Sequence, residues 1–172
     1  EEVTQSKAWK KSRLLLLKKP KPSITKPLIH TIPFQQQELK QYFGVFSSKH
    51  IDYASLFLIE HIKLSPKDQI VLDLASGNGI LATVIRQQNP TCALHLLDDS
   101  FLAIASSQMN LAPQHTFFHH DDCLDRFEAN FFDYVVSNPP FHFEHEIDIN
   151  IPLNLFKSVH YCLKPQGRFQ LV

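Results

Sequence analysis

The sequence contains few of the features that mark secreted, membrane or metal-binding proteins. Its 172 residues include three cysteines, Cys92, Cys123 and Cys162, and no Cys-x-x-Cys pair, which favours reduced thiols in a cytoplasmic protein. No apolar run is long enough to span a bilayer. The short run "RLLLLKK" is not followed by a small-residue cleavage site, so we do not interpret it as a signal peptide. Internal repeats and low-complexity tracts are also absent.

The composition is that of a soluble globular domain, with 44% hydrophobic and 20% charged residues. The net charge of zero hides an asymmetry. Residues 1–34 contain eight of the 17 Lys and Arg residues but only two acidic ones, which gives this segment a charge of +6. It is also rich in proline. We predict a linker or the exit from a preceding domain here, and a nucleic-acid contact is the alternative.

From about residue 35 onward, the hydrophobic pattern alternates between strands and helices. This alternation predicts a doubly wound, mostly parallel α/β sheet over residues 35–172. Because the chain stops as a fifth strand begins, we expect a sheet truncated at that strand. The predicted strands are 70–74, 93–97, 116–119, 134–137 and 168 onward, and the predicted helices are 51–62, 80–88, 101–110 with Ser100 as N-cap, and 153–163.

A glycine-containing turn, "ASGNG", joins the first predicted strand of the sheet to a helix. Gly77 and Gly79 suit a tight turn that a ligand can approach, although Ala75 occupies the first glycine position of the dinucleotide fingerprint. Asp98 follows the next strand, where a doubly wound sheet binds a ribose hydroxyl pair. Asp98 could instead lie at the start of the following helix, where an acidic residue interacts favourably with the helix dipole. Together the turn and the acid favour a nucleoside ligand.

A further acidic pair follows the strand in "FFHHDDC". Asp121 would lie near the adenine of a bound nucleoside, and a solvated loop is the alternative. His119 and His120 are adjacent on a strand and therefore point to opposite faces, so we predict no metal site.

The stretch "SNPPF" follows another buried strand at the predicted ligand edge of the sheet. Asn138 precedes a proline and must stay extended, which fixes its side chain at the strand end. The Pro139 carbonyl has no ladder partner and can accept a hydrogen bond. Two rigid acceptors match the two hydrogens of an amine, and Phe141 offers a flat face for stacking. The alternative is a purely structural role, in which this stretch is a rigid turn that ends the strand.

Several segments resemble a known family. "VLDLASGNG", "LLDDS" and "SNPPFH" resemble the motifs of class I S-adenosylmethionine-dependent methyltransferases, which have a Rossmann-like fold and here would act on planar nitrogen. "GVFSSKHIDYAS", "IASSQMN" and "AWKKSRLL" are similar to segments of the ribosomal RNA guanine-N2 methyltransferases, in particular the large-subunit (23S) branch.

The resemblance assigns expected roles to individual residues. S-adenosyl-L-methionine would be the cofactor and 23S ribosomal RNA the partner, with no metal and no membrane. The methionine part of the cofactor would lie near Asp73, Ala75, Gly77 and Gly79, the ribose at Asp98 and the adenine near Asp121. The target guanine would be held by Asn138, Pro139 and Phe141, with Phe46 and Ser47 lining the pocket.

Three other functions share parts of this pattern. Protein glutamine-N5 methylation uses a similar acceptor pair, usually with tyrosine at the aromatic position. DNA adenine-N6 methylation is a weaker alternative. A non-catalytic methyltransferase fold that binds RNA is the alternative from another class, and Ala75 in the glycine turn slightly favours it.

Overall fold

The computed structural model describes residues 3–8, 12–18, 28–47, 50–139 and 150–172. Among these residues, none of the helices is long and apolar enough to cross a membrane. The strands are β1 (Val3–Gln5), β2 (Leu15–Leu17), β3 (Ile29–Phe34), β4 (Gln37–Tyr42), β5 (Ile70–Leu74), β6 (Ala93–Asp98), β7 (Thr116–His120), β8 (Phe132–Ser137) and β9 (Leu163–Leu171). The helices are α1 (Tyr53–His61), α2 (Ile80–Gln88), α3 (Phe101–Asn110) and α4 (Asn150–Cys162).

The central sheet has five parallel strands in the order β7-β6-β5-β8-β9, which confirms the predicted α/β class. Its chain order reverses direction between β5 and β8, and a doubly wound sheet binds ligands at this switch point. Successive residues of each strand pack on opposite faces of the sheet, because side chains alternate in direction along a strand. Val71, Leu96 and Val136 join one core cluster, while Leu72 and Val135 join the other.

The N-terminal region corrects the predicted linker boundary. Residues 29–34 form β3, which pairs with β4 in an antiparallel hairpin instead of continuing a linker to residue 34. Ile32 and Phe34 are buried, and the hairpin docks on α3 through the backbone N–H of Tyr42, which donates to Ser106 Oγ at 3.0 Å. Pro33 lies in the predicted linker but forms part of β3, since proline is tolerated in a strand with a free edge.

The last strand also differs from its prediction. β9 begins at Leu163, five residues before the predicted start at Arg168, and follows α4 directly. Its register with β8 is irregular between Phe132 and Tyr134, and Gln166 adopts a positive φ of 69°. This local distortion coincides with the segment "KPQG", residues 164–167, whose proline and glycine are typical of a turn, so the turn forms a break in register within the strand.

Gly79 is required by packing at the start of α2. It has a φ of +80°, and a Cβ there would lie 3.0 Å from Ser107 Cβ and 3.1 Å from Leu111 Cδ1. Gly77 also has a positive φ of +55°, but a Cβ there would meet nothing within 4 Å. The two glycines therefore have different roles, because one allows α3 to pack closely while the other faces open space.

We expect Gly79→Ala to lower the free energy of unfolding by about 2–4 kcal/mol, since left-handed strain adds to overpacking. Gly77→Ala is the matched control and should cost only about 1–2 kcal/mol, the left-handed strain alone. Urea denaturation of both variants measures the difference. Equal losses for the two variants would show that contact with α3 does not explain Gly79.

Candidate functional site

A cavity opens where three neighbouring strands end. Leu74 of β5 pairs with Leu97 of β6 on one side and with Ser137 of β8 on the other. The residues that follow them, Ala75, Asp98 and Asn138, therefore reach the same edge of the sheet. They line one cavity of about 320 Å³, which is in the range of small-molecule sites.

Seven of the predicted site residues line this cavity: Phe46, Ser47, Ala75, Gly77, Asp98, Asn138 and Pro139. Asp73, Gly79 and Asp121 do not line it, and Phe141 lies outside the described residues. Residues that the sequence did not predict also contribute to the lining: Ile32, Gly44, Val45, Ile51, Asp52, Ala54, Ser55, Ser76, Asn78, Ile80, Leu81, Asp99, Ser100 and Ala103.

The glycine turn presents backbone to the cavity. A side chain at position 77 would extend into the open space beside the turn. Because glycine has no side chain, a ligand can approach the main chain there. Ala75 has a φ of 58°, a left-handed conformation that is unfavourable for alanine. The Ser76 hydroxyl is buried with no hydrogen-bond partner among the described residues. The turn therefore holds an unused polar group beside the cavity.

Asp98 joins the turn to the start of α3. Its Oδ2 accepts a hydrogen bond from the backbone N–H of Gly77 at 2.8 Å, and its Oδ1 accepts from that of Ser100 at 2.9 Å. Burial raises the pKa of the Asp98 carboxyl, and these two N–H groups oppose that shift. A carboxylate that still has lone pairs at the cavity wall can accept hydroxyl hydrogens from a ligand.

Asp73 lies beneath the turn and does not reach the cavity. It is fully buried, its Oδ2 accepts from the backbone N–H of Ala82 at 3.0 Å, and burial raises its pKa well above the ordinary value. Its contact ties β5 to α2. The geometry thus favours a supporting role for Asp73 over direct ligand contact.

Asp121 is engaged with its neighbours at the end of β7. Arg126 Nε donates to its Oδ2 at 3.1 Å, and the N–H of Asp122 donates to its Oδ1. Its backbone N–H donates to the carbonyl of Asp98, so the loop remains close to the cavity edge. Asp121, Asp122 and Cys123 also bring three potential ligand atoms together, but an exposed acidic cluster is not evidence of a metal.

The Asn138 side chain is clamped by α1. Its Nδ2 donates to Asp52 Oδ2 at 3.0 Å and to Ser55 Oγ at 2.9 Å. Asp52 is the N-cap of α1 and also accepts from the backbone N–H of Ser55. The N-cap could have been found from the polar residue before the helical pattern. The contact with Asn138, 86 residues away, could not.

A buried polar network supports the opposite wall. Gln41 is fully buried, and its Oε1 accepts from Asn78 Nδ2 at 2.7 Å. Its Nε2 donates to the carbonyls of Val45 and Phe46 at 3.3 and 3.4 Å. Gln41 therefore holds the Phe46 wall against the glycine turn. Sequence reasoning missed it because a polar residue in a short hairpin carries no periodic pattern.

Comparison with protein families gives a match to the methyltransferase small domain over residues 36–172. Curated proteins named ribosomal RNA large subunit methyltransferase G are similar to the whole chain. Those of Vibrio cholerae and Photobacterium profundum are each 31% identical over 177 and 180 residues, which cover 99% of this chain. The chain spans about half of these relatives, 47% and 48% of their lengths.

Solved structures agree with the fold. An S-adenosylmethionine-dependent methyltransferase from Agrobacterium tumefaciens superimposes with a TM-score of 0.63 at 16% identity, covering 85% of this chain and 52% of that one. A putative methyltransferase in complex with the Trm112 activator, from Haloferax volcanii, gives 0.54 at 18% identity, covering 67% and 49%. At these identities the likeness concerns the fold alone.

Proposed function

The chain belongs to the family of methyltransferase small domains, and from this premise we propose that it methylates the exocyclic N2 amine of a guanine in ribosomal RNA. This membership confirms the predicted methyltransferase class and agrees with the predicted cofactor, S-adenosylmethionine. The guanine and its N2 amine are the finer proposal. The observation that supports it is that Asn138 and Pro139 line the same cavity as the glycine turn and Asp98.

The residues at the turn fit the cofactor. Gly77 leaves room for close approach, and Asp98 offers acceptors suited to a ribose hydroxyl pair. We propose that Asp98 binds the ribose and that Ala75 and Gly77 border the methionine part. Asp73 and Gly79 would act through the turn, and Asp121 would approach the adenine from the end of β7.

Amine activation by Asn138 and Pro139 is the proposed chemical role of the "NPPF" stretch. The guanine amine is a poor nucleophile because its lone pair is delocalised into the ring. The Asn138 carbonyl oxygen and the Pro139 carbonyl would accept its two hydrogens and aim the lone pair along the reaction path, so positioning and electrostatics drive the step. S-adenosylmethionine, held by Asp98 and the glycine turn, would supply the methyl group: the C–N bond would form as the C–S bond breaks, S-adenosylhomocysteine would be released, and the amine proton would pass to water.

The proposed substrate follows from the relatives' names and from the family resemblance. The relatives are named as large-subunit ribosomal RNA methyltransferases. A ribosomal RNA substrate also implies the cytoplasmic location that the sequence predicts. We propose that the basic N-terminal segment contacts RNA. In this segment Lys7 and Arg13 are exposed, while Lys10 and Lys11 lie outside the described residues.

Replacement of Asn138 tests the two-acceptor account. Asn138→Ala should slow methyl transfer by about 2–4 kcal/mol in activation free energy, because one aimed hydrogen-bond partner is lost. Cofactor affinity should change little. Single-turnover methylation of unmodified ribosomal RNA by the full-length protein, with mass spectrometry to locate the methyl group, measures both rate and position. An Asn138→Ala protein as fast as the parent would contradict the account, and methylation on another base would contradict the guanine proposal.

Reversal of charge in the N-terminal segment tests the RNA contact. Lys7→Glu with Arg13→Glu should weaken binding to all RNA sequences and flatten its salt dependence, since fewer counterions are released. Lys63→Glu with Lys67→Glu, at two exposed sites outside the segment, makes the same change in net charge and is the control. Filter binding at several salt concentrations gives the slopes. An unchanged salt dependence in the double variant would show that the segment is a linker that does not contact RNA.

A further inference from the structure

We propose that Asp52 and Ser55 are positioning residues that turn the carbonyl oxygen of Asn138 toward the substrate. This inference rests on the proposed function and extends it to two residues outside the "NPPF" stretch. Both lie at the start of α1, and both line the same cavity as Asn138.

The geometry of the contact fixes the amide. Asn138 Nδ2 lies 3.0 Å from Asp52 Oδ2 and 2.9 Å from Ser55 Oγ, so both of its hydrogens have acceptors on α1. A carboxylate offers only acceptors, and therefore the amide must present its NH2 group and not its oxygen to Asp52. We infer that the oxygen, on the other arm of the amide, faces the cavity.

Orientation matters because the two arms of an asparagine amide have opposite hydrogen-bonding character. With the oxygen toward the cavity, Asn138 accepts from N–H or O–H groups. The reversed amide would direct donors at the donors of an amine, which removes one acceptor and adds repulsion. Asp52 would thus favour a group that donates hydrogens, such as an exocyclic amine, over a ring carbonyl.

Asp52 also caps α1, and a test must separate the two roles. Its Oδ2 accepts from the backbone N–H of Ser55 at 3.2 Å as well as from Asn138. Serine is an equally good N-cap but is one atom shorter. Asp52→Ser should therefore keep the cap and lose the contact with Asn138. Glu60→Ser is the matched control, an acidic-to-serine change at an exposed site of the same helix.

A double-mutant cycle on single-turnover methylation of ribosomal RNA tests the coupling. We expect Asp52→Ser to lower the saturating single-turnover rate of the parent on the order of tenfold, with little change in the half-saturating RNA concentration, and to slow Asn138→Ala less than about twofold. Glu60→Ser should leave the rate unchanged in both backgrounds. If Asp52→Ser slows both backgrounds by the same factor, or slows neither, Asp52 does not act through Asn138.

Hydrogen exchange of the Asn138 side-chain amide gives a readout independent of activity. By nuclear magnetic resonance, both side-chain hydrogens should exchange slowly in the parent protein, with the exposed Asn154 as reference, and faster in Asp52→Ser. Exchange as fast as that of Asn154 in the parent would overturn the inference. If the parent methylates no ribosomal RNA, the proposed function fails, while this measurement still decides the orientation.

Discussion

The Asp98 carboxylate is the contact on which the site depends. One oxygen accepts from Gly77 and the other from Ser100, so a single side chain sets the separation between the glycine turn and the start of α3. A buried carboxylate is costly unless it is hydrogen-bonded, and the two backbone N–H groups offset part of that cost. The same carboxylate borders the cavity, where a ribose would find its acceptors already fixed.

Two polar clamps bring the N-terminal part of the chain to this edge. Gln41 joins the carbonyls of Val45 and Phe46 to Asn78 of the glycine turn, and Asp52 joins α1 to Asn138 beyond β8. In each clamp a side-chain NH2 group donates to two oxygen atoms of the protein. Paired donors of this kind favour a unique arrangement, and this suits a reaction that depends on positioning.

The sequence predicts α2 and α3 to the residue, because their helical spacing is bounded by the glycine turn and by Ser100, whose side chain caps α3. It also predicts the residues at the strand ends, since parallel strands bring their carboxyl ends to one edge. The sequence does not predict the β3–β4 hairpin, because Pro33 in β3 is typical of a linker. It also assigns Gly79 to the ligand site, although Gly79 does not line the described cavity. The reason is that a glycine needed for packing looks the same in sequence as one needed for a ligand.

Contacts between distant segments are the part that local pattern cannot supply. Asp52 and Asn138 are 86 positions apart, and neither spacing nor composition relates them. The hydrogen bond between Asn78 and Gln41 spans 37 positions and was missed for the same reason. The local sequence does show which residue types lie at the edge of the sheet. These types, a glycine turn and an aspartate, indicate a nucleoside ligand.

The most direct test of this account is the affinity of the full-length protein for S-adenosylmethionine, measured by calorimetry before and after Asp98→Ala. The account predicts a loss of about 1–3 kcal/mol, the cost of leaving hydrogen-bonding groups of the site and the ribose unpaired. Asp122→Ala, an exposed acid outside the cavity lining, should bind as the parent does. Unchanged affinity in a folded Asp98→Ala protein would contradict the central claim that this carboxylate holds the cofactor.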